Sequence, residues 1–227
     1  MTLEEDLFLP SSSSLHTLIF GKSGSGKTYG IRALVMKALP NKKFGKNHRF
    51  IIIDPKVQAG DYDELTDPIT DDNIETIAES LNENRLTLVW PSYEFGGQLI
   101  DQIIELLFAI ADSFPDFSAT LILDESGEYI THNSMPNSIG KLAVQGRAKK
   151  LKGVFLNQRP ILNRKLDSQV QSIVLFDMVT IDMDNLSKRW GINWDIIQGK
   201  IMKEQHSFYH KNFMSNKSDF YHAISMD

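Results

Sequence analysis

Along the first 180 residues, short apolar runs alternate with segments whose apolar positions recur every three to four residues. The runs fall at 15–20, 50–53, 86–90, 119–123, 153–156 and 173–176. Between them, Ile31, Leu34, Val35 and Ala38 keep helical spacing until Pro40, and so do Ile74, Ile77, Ala78 and Leu81, then Ile139, Leu142, Ala143 and Gly146. Residues 97–112 predict a long helix, apolar on most sides, with Gln98, Asp101, Glu105 and Asp112 as a polar stripe. Near-continuous apolar strands separated by helices predict an α/β fold whose mostly parallel central sheet is covered on both faces.

Elsewhere the pattern is weaker. A loop is expected from Asp54-Pro55 to about Asp71, and residues 1–14, ending in four serines, read as a polar lead-in. Beyond Asp177, short helices are expected over 184–190 and 193–198, and a C-terminal β-hairpin from strands at 206–210 and 220–224. The 227 residues suit one domain, with 178–227 as an extension of it.

Charge changes the picture because it is segregated. The formal net charge of -5 hides a basic excess in residues 1–53 and 129–227 and a strongly acidic stretch over 54–128. A polyanion partner would therefore need the basic segments gathered on one surface, whereas ordinary solvated faces would explain the same numbers. The chain has no cysteine, which excludes disulfides and thiolate metal sites. No run reaches the roughly 18–20 apolar residues of a membrane span. The acidic start Met1-Thr2-Leu3-Glu4-Glu5-Asp6 is unlike a secretory signal, so a secreted protein is not expected.

The chemistry begins at Gly21-Lys22-Ser23-Gly24-Ser25-Gly26-Lys27-Thr28, which fits the phosphate-binding pattern GxxxxGK[ST] between an expected strand and an expected helix. Glycines let successive N–H groups turn toward phosphate oxygens, and the helix N-terminus favours anions. Lys27 is placed to reach the β- and γ-phosphates and Thr28 to hold Mg²⁺, so ATP with Mg²⁺ is the expected ligand. A second signal is Leu121-Ile122-Leu123-Asp124-Glu125, an apolar strand ending in two acids: Asp124 suits metal support and Glu125 suits polarising an attacking water. The third is Val154-Phe155-Leu156-Asn157-Gln158-Arg159-Pro160. Gln158 at this strand end either senses the γ-phosphate or positions water, or else Asn157 and Gln158 only satisfy the loop backbone. The run Lys141, Arg147, Lys149, Lys150, Lys152, Arg159, Arg164 and Lys165 holds no acid between its ends; it fits phosphate or subunit contact and a helix end equally well. The six histidines show no metal-ligand spacing on one helix, and Trp90, Trp190 and Trp194 read as packing residues.

The phosphate loop, Ile51-Ile52-Ile53-Asp54-Pro55-Lys56, the strand ending at Glu125, the turn from Gly146 to Gly153 and Asn157-Gln158-Arg159-Pro160 occur in an order that resembles the FtsK/HerA superfamily of DNA-pumping ATPases. The resemblance spans about residues 15–180 and looks most like the genome-packaging ATPases of tailless, internal-membrane icosahedral viruses. It implies a RecA/ASCE-like three-layer P-loop NTPase that hydrolyses ATP to translocate double-stranded DNA into a preformed capsid. Its implied partners are further copies in a ring, a hexamer or pentamer, and capsid-vertex or membrane proteins, at the virion vertex or in host cytoplasm. It gives Gln158 the sensor position and makes Arg147 a candidate arginine finger, about 80° round the expected helix from Ile139, with Arg159 as competitor. Alternatives are a conjugation, segregation or phage-extrusion ATPase of the same superfamily, a P-loop small-molecule kinase, and a non-motor assembly protein.

Overall fold

The structure, a computed structural model, describes residues 1–10, 15–94, 96–160, 163–201 and 204–224. Its strands are β1 (His16–Phe20), β2 (His48–Ile53), β3 (Pro68–Ile69), β4 (Leu86–Val89), β5 (Ser118–Leu123), β6 (Leu151–Asn157), β7 (Val170–Leu175), β8 (Phe208–Asn212) and β9 (Lys217–Tyr221). They form one sheet in the order β3-β4-β2-β5-β6-β1-β7-β8-β9. Every pairing from β3 to β7 is parallel, and β8 and β9 close one edge as an antiparallel hairpin.

Alternation along each strand builds the three layers. Leu18, Phe20, Ile51, Ile53, Leu121, Leu123, Phe155 and Ile173 enter one core, and Ile19, Phe50, Ile52, Ile122, Val154, Leu156 and Val174 enter the other. The first core is covered by α3 (Ile74–Glu83), α4 (Gly96–Ser113), α5 (Asn137–Gln145), α6 (Arg164–Asp167), α7 (Thr180–Trp190) and α8 (Trp194–Ile201); the second by α1 (Leu3–Phe8) and α2 (Lys27–Ala38). Each such side chain contributes about 1.5–3 kcal/mol when removed from water, so strands buried on both faces are mostly apolar, and the polar residues among them, such as Thr17, Thr120 and Lys152, are hydrogen-bonded.

The amino terminus differs from the expected polar lead-in. Residues 3–8 form α1, whose Leu7 and Phe8 are fully buried; the serines 11–14 lie outside the described residues. A helix this short leaves most of its carbonyls unpaired, and the sheet supplies the donors. Thr17 Oγ1 donates to Leu7 O (3.1 Å), Thr120 Oγ1 to Phe8 O (2.6 Å) and Lys152 Nζ to Asp6 O (2.7 Å). The Asp6 carboxylate accepts from Gln171 Nε2 (2.9 Å) and Asn212 Nδ2 (2.6 Å), and pairs with His210 Nε2 at 3.0 Å.

Other differences are local. The short strand β3 lies inside the expected loop, with Pro68 at the sheet edge where it removes no needed donor. The hairpin strands sit at 208–212 and 217–221, because His206 turns the chain at φ 65° before β8 begins. Helix α7 starts at Thr180 and stops at Gly191, whose φ of 61° forms a left-handed cap. Among the described residues, no helix is long and apolar enough to cross a membrane.

Candidate nucleotide site

All parallel strands present their C-terminal ends at one sheet edge, and the sequence motifs meet there. β1 runs into the loop that opens α2, with Gly24 at φ 73° and Gly26 at φ 95°. Both values are left-handed, a region where a side chain is strained. Gly26 is doubly constrained, since a Cβ there would lie 2.7 Å from His206 Nδ1. Lys27 is buried, and its ammonium donates to the loop carbonyls of Gly21 (2.6 Å) and Lys22 (3.2 Å). Burial pulls its pKa down while Glu125 and Asp124 oppose the shift. Lys22 pairs with Asp177 at 2.5 Å, fixing the outer side of the loop to the end of β7. Ser25 Oγ is buried and has no hydrogen-bond partner among the described residues. Residues 23–28 line a cleft of about 420 Å³ that also touches Lys56, Asp61, Glu125, Gln158 and His206.

The strand order explains how the second and third motifs reach this loop. β6 lies between β1 and β5, so residues just after β6 sit between the phosphate loop and the acids that follow β5. Asp124 is fully buried, and its Oδ2 accepts from Thr28 Oγ1 (3.0 Å), Tyr62 Oη (3.1 Å) and Lys56 Nζ (3.2 Å). Its Oδ1 accepts the Glu125 N–H at 2.7 Å, which helps hold Glu125 at φ 42°. A left-handed non-glycine residue costs on the order of 1 kcal/mol, and here it aims the carboxylate across the strand ends. Gln158 Nε2 donates to Glu125 Oε1 at 2.9 Å. Thus Lys27, Thr28, Asp124, Glu125 and Gln158 converge, and Gln158 does more than satisfy its own loop.

A divalent ion fits the donors present. Thr28 and Asp124 offer hard oxygens side by side, and few protein ligands suit Mg²⁺, which keeps its remaining positions for phosphate and water. Among the described residues, no group of His, Asp or Glu side chains could hold a metal by itself.

Three contributors carry no role at the site in the sequence reading, although two of them lie in the Asp54-Pro55-Lys56 element. Asp54 follows β2 beside Asp124 and is fully buried; its Oδ1 accepts the Lys56 N–H at 3.1 Å, while Oδ2 has no partner. Burial, reinforced by the Asp124 charge, pushes its carboxyl up to about 7. Burial alone would lower Lys56, yet Asp124, Asp54 and Asp61 raise it, so it stays a cation. Burial and the Asp124 charge push the Tyr62 phenol well up, which keeps it a donor. Lys56 stood in the sequence only as part of the Asp54-Pro55-Lys56 element of the resemblance, and nothing in the local pattern marked Tyr62.

The two arginine candidates separate. Arg159 is held within its own subunit by Asp182, with Nε and Nη2 at 3.2 and 3.3 Å from the carboxylate oxygens. Arg147 lies not in helix α5 but in the 3-10 turn over Gly146–Lys149, exposed and without a side-chain partner among the described residues. That turn precedes β6, so Arg147 sits at the sheet edge opposite the phosphate loop, about 20 Å away along a seven-residue strand. The basic run is largely compensated: Lys141 pairs with Glu105, Lys149 with Asp112, Lys150 reaches Pro115 O, and Lys152 is buried under α1. Burial lowers Lys152 to about 8. Arg164 and Lys165 instead line a polar cleft of about 770 Å³ with His132 and Asn137.

Residues 5–85 match the FtsK/SpoIIIE family. No curated protein sequence matches the chain significantly. Among solved structures, the genome packaging NTPase B204 of Sulfolobus turreted icosahedral virus 2 with AMPPCP superposes with a TM-score of 0.71 at 16% identity, covering 93% of this chain and 98% of that one. The DNA-packaging ATPase B204 of Sulfolobus turreted icosahedral virus gives 0.69 at 16% identity, covering 96% and 100%. The cytoplasmic domain of the Thermomonospora curvata type VII secretion ATPase EccC gives 0.60 at 11% identity, with 96% of this chain matched to 26% of that one. The sequence match over residues 5–85 makes that part of the chain similar to the FtsK/SpoIIIE family, and the fold shared over most of the chain is that of a P-loop NTPase.

Proposed function

We propose that this protein is a Mg²⁺-dependent ATPase that translocates double-stranded DNA, packaging a viral genome into a preformed capsid. The observation that carries the reading is the Glu125–Gln158 hydrogen bond placed across from Lys27 and Thr28. A carboxylate so held can take a proton from water attacking the γ-phosphate, and the amide beside it responds to whether that phosphate is present. A kinase would instead need water kept from this position. Lys27 and the loop N–H groups bind the phosphates, and Thr28 with Asp124 holds Mg²⁺, which neutralises phosphate charge when bound. Because Arg147 lies across the sheet from its own loop, it serves a neighbouring subunit's nucleotide in a ring. The fold similarity over 93–96% of the chain to two viral packaging enzymes supports DNA as the substrate.

The test is Glu125→Gln, which removes the base while keeping size and hydrogen bonding. Turnover is expected to fall by about 10²–10⁴ with the dissociation constant for ATP unchanged, whereas Lys27→Ala loses binding as well. Normal turnover in Glu125→Gln would reject the water-activation role.

A further inference from the structure

Lys56 stands where a metal would. Its ammonium lies 3.2 Å from Thr28 Oγ1, 3.2 Å from Asp124 Oδ2, 3.5 Å from Asp61 Oδ2 and 4.0 Å from Glu125 Oε1. Two of these oxygens, from Thr28 and Asp124, are those read above as the divalent-ion donors. Magnesium needs its ligands at about 2.0–2.1 Å in a near-octahedral shell, so it and an ammonium cannot share these two oxygens.

The lysine is held in place by its surroundings. Asp54 Oδ1 accepts the Lys56 N–H at 3.1 Å, next to Pro55 with its fixed backbone. The following loop is pinned to α2 by Arg32, which donates to Gly60 O at 2.6 Å and Asp61 O at 2.9 Å, and to the site by the Tyr62 hydroxyl on Asp124. Asp54, Asp61, Asp124 and Glu125 gather four carboxyl groups around one lysine and the more distant Lys27. Without a cation at Lys56, the buried Asp124 would lose its nearest opposite charge.

We propose that Lys56 is a built-in counter-cation that competes with free divalent metal for the Thr28–Asp124 position, so that metal enters this site with nucleotide rather than ahead of it. The proposal rests on reading Thr28 and Asp124 as the metal donors. Nucleotide resolves the competition because its phosphates add oxygen ligands for the metal and a new anion for the displaced ammonium. The strand-end lysine thereby couples ligand arrival to the loop from Lys56 to Tyr62.

The experiment measures Mn²⁺ binding to the full chain without nucleotide, by the paramagnetic resonance signal of the free ion. Lys56→Met is expected to bind Mn²⁺ at least tenfold more tightly than the unmodified protein, and Lys56→Arg to remain as weak. Adding Asp124→Asn to Lys56→Met should abolish the gain. In EDTA, Lys56→Met should unfold at lower temperature than the parent and recover on adding Mg²⁺, while the parent does not respond. Should Lys56→Met not fold, Lys56→Gln retains a donor without the charge and carries the same expectation. Equal Mn²⁺ affinity in the neutral variant and the parent would overturn the proposal, as would tightened binding that survives Asp124→Asn. These readouts need no turnover, so a chain that proved not to hydrolyse ATP would defeat the functional reading while leaving the Lys56 result interpretable.

Discussion

Asp54 shows how much of the site's electrostatics rests on a single carboxyl. Its fully buried side chain has one oxygen without a partner and Asp124 as neighbour, so the folded protein favours its neutral form. With the folded pKa raised to about 7 from the ordinary carboxylate value of 3.8, the folded state binds more protons than the unfolded one between those values. Stability from this group is therefore full below the lower value and lost as pH rises toward 7. Asp54→Asn removes that loss. In EDTA the variant is expected to be more stable than the parent at pH 8.5, by about 4 kcal/mol at most. The advantage should shrink as pH falls toward 4. Urea unfolding at both pH values checks it; a pH-independent difference would mean that Asp54 does not titrate in this way. His16 behaves differently, with Nε2 near the carbonyls of Leu142 (3.1 Å) and Ala143 (3.2 Å) and Nδ1 accepting from Gly153 N (2.8 Å), and burial lowers it to about 4. It is a neutral structural pin.

At the scale of elements, what could be read from sequence depended on whether the determining contacts were local. The strands β1, β2, β4, β5, β6 and β7 were legible because a parallel strand covered on both faces is apolar at most positions, as Ile51-Ile52-Ile53 is. Helix α1 was hidden because Leu3-Glu4-Glu5-Asp6-Leu7-Phe8 is too short to show a period, and the partners of Asp6 lie at Gln171 and Asn212. Similarly, the convergence of Lys56 and Tyr62 on Asp124 follows from β2 lying beside β5, which composition does not reveal. Lys152 looked like a surface cation until α1 covered it. The Asp6 network is a falsifiable part of this picture. Asp6→Ala leaves His210 facing no carboxylate and Lys152 buried beside a lost charge, and removing one partner of a buried pair typically costs about 3–5 kcal/mol. Equilibrium denaturation should show that loss while ATP affinity of the folded protein is retained; a change under 1 kcal/mol, roughly a surface substitution, would mean that α1 is not anchored through Asp6.

At the scale of the whole molecule, the length of the strands sets the phosphate-loop residues apart from Arg147. Phosphate loop, acids and Gln158 occupy one edge and Arg147 the other, so the proposed finger role of Arg147 requires a neighbouring copy. Mixing Arg147→Ala subunits with Lys27→Ala subunits tests this. Each alone is inactive, and in the mixture the intact phosphate loop of one meets the intact arginine of the other, so partial activity is expected. Failure to recover any activity would argue against a shared site. The central claim, a ring motor driven by ATP on DNA, is tested most directly by ATP hydrolysis with and without double-stranded DNA over a range of protein concentrations. The account predicts activity that rises more steeply than protein concentration and increases further with DNA, the DNA effect weakening in salt as phosphate contacts do. Activity strictly proportional to concentration and indifferent to DNA would contradict it.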